Sequence, residues 1–149
     1  NDEAICVAAN SRYAKIGVEV NLDAKSKSQH FAEVKEGDAN GMTSDMYMLG
    51  WGVPTFDSHY VYSYLFDSAG SWNKVNFSNA RVDELVAAMG VETDLDKRNA
   101  MIAEAWDITQ DDVTYLPLHH QVVNQASKGN VDVPIRMNNE PLFRFANVN

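Results

Sequence analysis

A helix cannot pass through Gly50-Trp51-Gly52-Val53-Pro54. Two glycines weaken it, and the proline lacks an N–H and collides with the turn before it. The chain must therefore break regular structure about a third of the way along. Met46-Tyr47-Met48-Leu49, just before the break, is a short apolar run that reads as a central strand. In open α/β sheets, ligands sit beyond the carboxyl ends of strands. Glycines at such an exit let backbone groups approach a ligand closely, and Trp51 offers a flat apolar wall. The surroundings reinforce this: Tyr47, Trp51, Phe56, Tyr60, Tyr62, Tyr64, Phe66 and Trp72 place eight of the fifteen Phe, Trp and Tyr residues within positions 47–72. Filling a core is the competing role for each Tyr and Phe. Trp51, held between two glycines, is read as a ligand contact.

The flanking segments alternate helix and strand. Residues 4–16 read as a helix, with Ile5, Ala8, Ala9, Arg12 and Ile16 near one face and Gly17 as its stop. Val18-Glu19-Val20-Asn21-Leu22 alternates apolar and polar like a half-buried strand. A second helix is expected over 28–36, with Phe31 and Val34 inward and Gly37 ending it, followed by the turn-forming run Gly37-Asp38-Ala39-Asn40-Gly41. Residues 57–66 carry two patterns. Tyr60, Tyr62 and Tyr64 alternate like a strand, whereas Asp57 or Ser58 offers a cap to a helix burying Val61, Tyr64 and Leu65. The helix is favoured.

Asn79 caps a helix carrying Val82, Leu85, Val86 and Met89, closed by Gly90. Asp94 caps the next, with Met101, Ile102, Ala105, Trp106 and Thr109 as a broad inner stripe. Thr114-Tyr115-Leu116-Pro117-Leu118 is extended, with a proline suited to an edge or hinge. Val122 to Ala126 reads as another strand, and the pattern turns irregular from Lys128. The order predicts an α/β layer with a mixed sheet flanked by helices. The first helix has no strand before it, so the sheet is expected to lack strands supplied by the rest of a longer protein.

Composition removes several function classes. The net charge of −9 opposes a phosphate-reading surface, which needs clustered Lys and Arg, and opposes an anionic membrane surface. Cys6 is the single cysteine, so no internal disulfide forms and no repeated Cys/His spacing marks a structural zinc site. No run of 18 apolar residues is present. His119 and His120 would point to opposite faces of a strand, and His30 and His59 read as isolated surface histidines, so no metal or cofactor is assigned. Asp111-Asp112 and Asp94/Asp96 read as helix-end carboxylates. No nucleophile elbow, phosphate loop or His-Glu-x-x-His is present, and an enzyme is not expected.

Six segments in order resemble family 5 of the extracytoplasmic solute-binding proteins, the peptide, dipeptide and nickel receptors of ABC importers. They are Ile16 to Leu22, Phe31 to Gly37, Asp45 to Gly52 (ending Gly50-Trp51-Gly52), Asn76 to Leu85, Glu92 to Arg98, and Tyr115 to His119. The resemblance implies a periplasmic-binding-protein-like lobe. Residues 1–127 would form the second, C-terminal lobe of a two-lobed receptor, and 128–149 an irregular tail leading back to the first. It further implies a small-molecule or peptide solute, an ABC permease as partner, and a periplasmic or lipid-anchored setting.

Trp51, Gly52, Val53, Asp57 and Tyr47 are the candidate ligand-binding residues. Peptide-binding members carry an Asp three residues after the Trp, where it pairs with the peptide's amino group; here that position is Pro54. Asp57 is the nearby carboxylate able to substitute. Without it the solute would lack a free amine, because a buried unpaired ammonium is costly. The alternative is a protein-interaction or sensory domain that uses the aromatic segment 56–72, and an exposed patch of Tyr60, Tyr62 and Tyr64 would favour it. An isolated lobe is expected to expose apolar surface and to dimerise.

Overall fold

A computed structural model describes residues 2–36 and 44–149. They fall into two compact units, Asn1–Thr114 and Tyr115–Asn149. The first contains α1 (Asp2–Tyr13), α2 (Lys27–Glu36), α3 (Ser58–Val61), α4 (Ala80–Met89) and α5 (Leu95–Asp112). The second contains an antiparallel pair, β1 (Val131–Asp132) and β2 (Asn147–Val148), with Val131 opposite Val148. That pair lies in the segment read as irregular. No helix among the described residues is long and apolar enough to cross a membrane.

The helix ends follow local chemistry. After α1 the chain tightens into a 3₁₀ turn, Ala14–Ile16, and stops at Gly17 with φ 79°. The Gly17 N–H donates to the Ala14 carbonyl and the Val18 N–H reaches back to Tyr13, which satisfies carbonyls the helix leaves open. α1 nevertheless buries none of its residues, and Ile16 stays exposed. α2 opens on a reciprocal box: the Gln29 N–H donates to Ser26 Oγ at 3.4 Å and the Ser26 N–H donates to Gln29 Oε1 at 3.3 Å. The Ser-x-x-Gln spacing was available in the sequence and dates the start of α2 one residue earlier than periodicity does. Val34 is buried as expected. Gly37 and the turn through Gly41 lie outside the described residues.

Both later caps form as read. Asn79 Oδ1 accepts from the N–H groups of Arg81 and Val82, and Asp94 Oδ1 from those of Asp96 and Lys97. Val82, Leu85, Val86 and Met89 of α4 are all buried, each side chain contributing about 1.5–3 kcal/mol. On α5 the buried positions are Ala105 and Thr109, while Met101, Ile102 and Trp106 are half-buried, so the stripe is narrower than expected. Arg81 ties α4 to α5 through a two-pronged pair with Glu104, Nε to Oε1 at 2.7 Å and Nη2 to Oε2 at 2.9 Å.

The strands expected at 18–22, 46–49, 114–118 and 122–126 carry no ladder hydrogen bonds. Alternation reports which side chains want burial, but a strand also needs a neighbour about 4.8 Å away to accept its backbone groups. Among the described residues the one sheet joins β1 to β2, and these four segments stand outside it.

α5 ends at Val113, which takes φ 58° and ψ 28° with 67% of its surface exposed. A β-branched residue in the left-handed region is strained by about 1–2 kcal/mol. Val113→Gly removes that strain and little burial, and after the added freedom of the unfolded chain it is expected to stabilise by about 0.5–1 kcal/mol. Thermal unfolding should show a rise of about 2–3 °C; a fall would mean the left-handed end is not held.

Candidate functional site

The segment after the Gly50–Pro54 break is shaped by one extra residue in a helical turn. α3 begins at Ser58 with Asp57 as its cap, the His59 N–H donating to Asp57 Oδ1 at 2.8 Å. From Tyr62 to Phe66 the coil widens to a π turn, closed by the Asp67 N–H on the Tyr62 carbonyl at 2.8 Å. The register therefore moves. In place of Val61, Tyr64 and Leu65, the buried set is Tyr62, Leu65 and Phe66. Tyr62 packs edge-on to Trp106 at 5.6 Å, and Phe66 edge-on to Phe77 at 5.7 Å. Burial pushes the Tyr62 phenol up to about 12, with Thr109 working against the shift. Thr109 spends its own hydroxyl proton on the Ala105 carbonyl at 2.9 Å, so it gives Tyr62 little.

With Tyr62 turned inward, Tyr60 and Tyr64 are left on the other side, their rings 4.6 Å apart and tilted by 36°. Trp51 packs on both, at 5.9 Å and 6.1 Å, and its third ring partner is Trp72 at 5.9 Å. Trp72 is brought back by the turn at Gly70, where a Cβ would meet the Tyr64 carbonyl oxygen at 2.7 Å. Buried Asn73 then locks the turn, its amide donating to the carbonyls of Asp67 and Phe77 and its oxygen accepting from the Phe77 N–H. The rings continue from Trp72 to Phe31, His30 and Tyr47. Tyr47 thus joins Trp51 by a relay of rings. Gly50 and Gly52, beside Trp51, have open space where a side chain would stand. Gly52 is exposed and Val53 half-buried, its carbonyl accepting from the Phe56 N–H in the turn.

A hollow of about 240 Å³ adjoins this wall and shares Tyr60 with it; Thr55, Asp57, His59, Ser63 and Arg98 complete its lining. Asp57 is engaged there. Arg98 donates Nη1 to Oδ2 and Nη2 to Oδ1, both at 2.8 Å, and Nε to the Met89 carbonyl at 3.0 Å. Arg98 holds the Asp57 carboxyl below the usual carboxylate range, helped by the His59 N–H against the effect of burial. Periodicity did not connect Asp57 with Arg98, which lies 41 residues on. The two histidines read as isolated are also anchored: His30 Nε2 lies 3.0 Å from the Met48 carbonyl, and His59 Nε2 3.2 Å from the Val86 carbonyl.

Tyr60, Tyr62 and Tyr64 do not form one exposed patch. Tyr62 is fully buried, Tyr60 half-buried and Tyr64 36% exposed. The feature that would favour a protein-docking role for these tyrosines is therefore missing.

The chain is similar to curated proteins of one name. It is 28% identical to the glutathione-binding protein GsiB of Salmonella typhimurium over 109 residues, 70% of this chain and 21% of the relative. The glutathione-binding proteins GsiB of Salmonella choleraesuis and Salmonella typhi match at the same 28% over the same shares. The matched stretch is about a fifth of the length of these relatives, 21%. No family model matches the chain, and no solved structure matches it at a significant level.

Proposed function

We propose that this chain binds a small solute as part of an extracytoplasmic solute-binding protein of family 5, serving an ABC importer, and that it is not an enzyme. The observation that carries the reading is the Trp51 wall. A tryptophan between two glycines with open space packs on Tyr60, Tyr64 and Trp72, directly beside a hollow lined by Asp57, His59 and Arg98. Similarity to glutathione-binding proteins supports it, as do the six ordered segments of the resemblance.

In this reading residues 1–127 belong to the second lobe of a binding-protein-like α/β fold, and 128–149 lead toward the first. Segments 18–22 and 46–49 would join a sheet completed by the rest of the receptor. Binding closes the two lobes around solute, and closure is the event a permease reads. Trp51, Gly52, Val53 and Tyr47 supply this lobe's wall, and Asp57 lines the adjoining hollow. A peptide-like compound of the size of glutathione is the first solute to try.

One lobe supplies half a cleft, so the chain is expected to bind weakly. At ten times the dissociation constant, a ligand stabilises by about 1.4 kcal/mol, which is about 3–5 °C in melting temperature. A thermal-shift panel at millimolar concentrations, covering glutathione, dipeptides, sugars and metal chelates, reads this out alongside Trp fluorescence. A shift with peptide-like compounds supports the reading. No response to any member of the panel, in either signal, sinks it.

A further inference from the structure

We propose that the hollow beside Tyr60 receives an uncharged hydrogen-bonding group of the solute, an amide or a hydroxyl, and that the Asp57–Arg98 pair turns a primary ammonium away from it. This rests on the solute-binding reading and goes beyond it by naming the chemistry of one subsite.

The charges in the lining cancel. Asp57 Oδ1 already accepts from Arg98 Nη2 and from the His59 N–H, and Oδ2 accepts from Arg98 Nη1. An ammonium approaching that carboxylate meets a guanidinium seated 2.8 Å from both oxygens. Arg98 cannot lose its charge and is itself anchored to the Met89 carbonyl, so it does not step aside. A carboxylate approaching Arg98 meets Asp57 in the same way. Either charged group meets a like charge next to the opposite one, so attraction and repulsion largely offset.

Neutral groups meet complementary partners. His59 Nε2 faces the Val86 carbonyl, which only accepts, so that nitrogen carries a proton, and in the tautomer this fixes, Nδ1 is the acceptor. Thr55 Oγ1 accepts from the Asp57 N–H at 3.4 Å and keeps its own proton to donate. Tyr60 brings a phenol that links the hollow to the Trp51 wall. One acceptor and two hydroxyl donors suit the N–H and C=O of an amide, or a hydroxyl that both donates and accepts. The volume of about 240 Å³ lies below that of sites holding whole drug-sized ligands. It fits one polar group, with the apolar remainder of the solute lying on Trp51 and Tyr64.

The test uses three probes that differ in charge: L-tyrosinamide, N-acetyl-L-tyrosinamide and N-acetyl-L-tyrosine. Binding to the chain is followed by NMR shifts at Trp51, His59 and Ser63. The neutral probe is expected to shift all three residues and to bind at least tenfold more tightly than either charged probe. Arg98→Met exposes the Asp57 carboxylate and should reverse the order in favour of tyrosinamide. Asp57→Asn keeps the helix cap, leaves Arg98 uncompensated, and should favour N-acetyl-tyrosine by about tenfold, so the proposal stays testable if Arg98→Met does not fold. Equal binding of the neutral and ammonium probes overturns the inference. So does a shift at Trp51 without one at His59 and Ser63, an outcome that leaves the solute-binding reading standing. No binding of any probe overturns the inference and, with a silent solute panel, the reading beneath it.

Discussion

Asp57→Ala is expected to lower the melting temperature by about 7 °C. Three losses coincide. The cap of α3 loses the acceptor for the His59 N–H, worth about 1 kcal/mol. The two-pronged pair with Arg98 disappears; because the Asp57 side chain is 39% exposed, solvent limits it to about 1 kcal/mol. Arg98, with 19% of its side chain exposed, is left as a largely covered cation without its partner. The first two losses alone come to about 2 kcal/mol, which corresponds to the stated shift for a chain of this size.

Asp57→Asn separates these parts, since asparagine caps a helix as well as aspartate does. The remaining difference from wild type is the ion pair, and it depends on pH. Arg98 lowers the Asp57 pKa in the folded chain, so the folded state binds that proton less readily than the unfolded state. The stabilisation is therefore complete above the unfolded carboxylate value of about 4 and is lost as pH falls through the folded value. Melting curves of wild type and Asp57→Asn should lie apart at pH 6–7 and converge in strong acid. Curves separated by a constant interval down to pH 2 would show that Arg98 does not hold the carboxylate.

The residues of this clamp mark the limit of what the sequence discloses. Local signals were legible. Asn79 and Asp94 cap their helices, Gly17 stops α1, and the face of α4 is buried in the expected register, because caps and 3.6-residue periodicity depend on neighbours within a turn or two. Trp51 and Tyr47 were singled out, and a chain of ring contacts links them. What escaped depends on distant or irregular geometry. The π turn at 62–66 exchanges Val61 and Tyr64 for Tyr62 and Phe66 in the core, and no composition rule announces a single inserted residue. The pairing of Asp57 with Arg98 bridges α3 and α5 across 41 residues, so the sequence offers Asp57 as a cap or ligand carboxylate and leaves Arg98 as an ordinary charge. The alternating segments were read as strands from their side chains alone, and strand formation also requires a backbone partner.

Trp51 is where the packing and the proposed function pull on the same side chain. With the ring packed on Tyr60, Tyr64 and Trp72, Trp51→Ala is expected to cost about 2–3 kcal/mol of stability, a fraction of the value for a fully buried aromatic because the residue is half-exposed. The sequence reads Trp51 as a ligand contact; three ring neighbours make it a packing residue as well. An affinity loss in Trp51→Ala would therefore mix a damaged wall with a loosened fold. Trp51→Phe separates the two. It keeps an aromatic ring against Tyr60 and Trp72, and it removes an indole N–H that is buried with no acceptor among the described residues, a relief of about 1 kcal/mol or more against the area lost. Its melting temperature should stay within about 3 °C of wild type. Affinity for the best solute of the panel should fall about tenfold, or about 1.4 kcal/mol, because the smaller ring presents less flat surface toward the open space beside Gly50 and Gly52. Unchanged affinity in Trp51→Phe, with the fold intact, would make Trp51 a core residue and move the solute wall to Tyr60 and Tyr64.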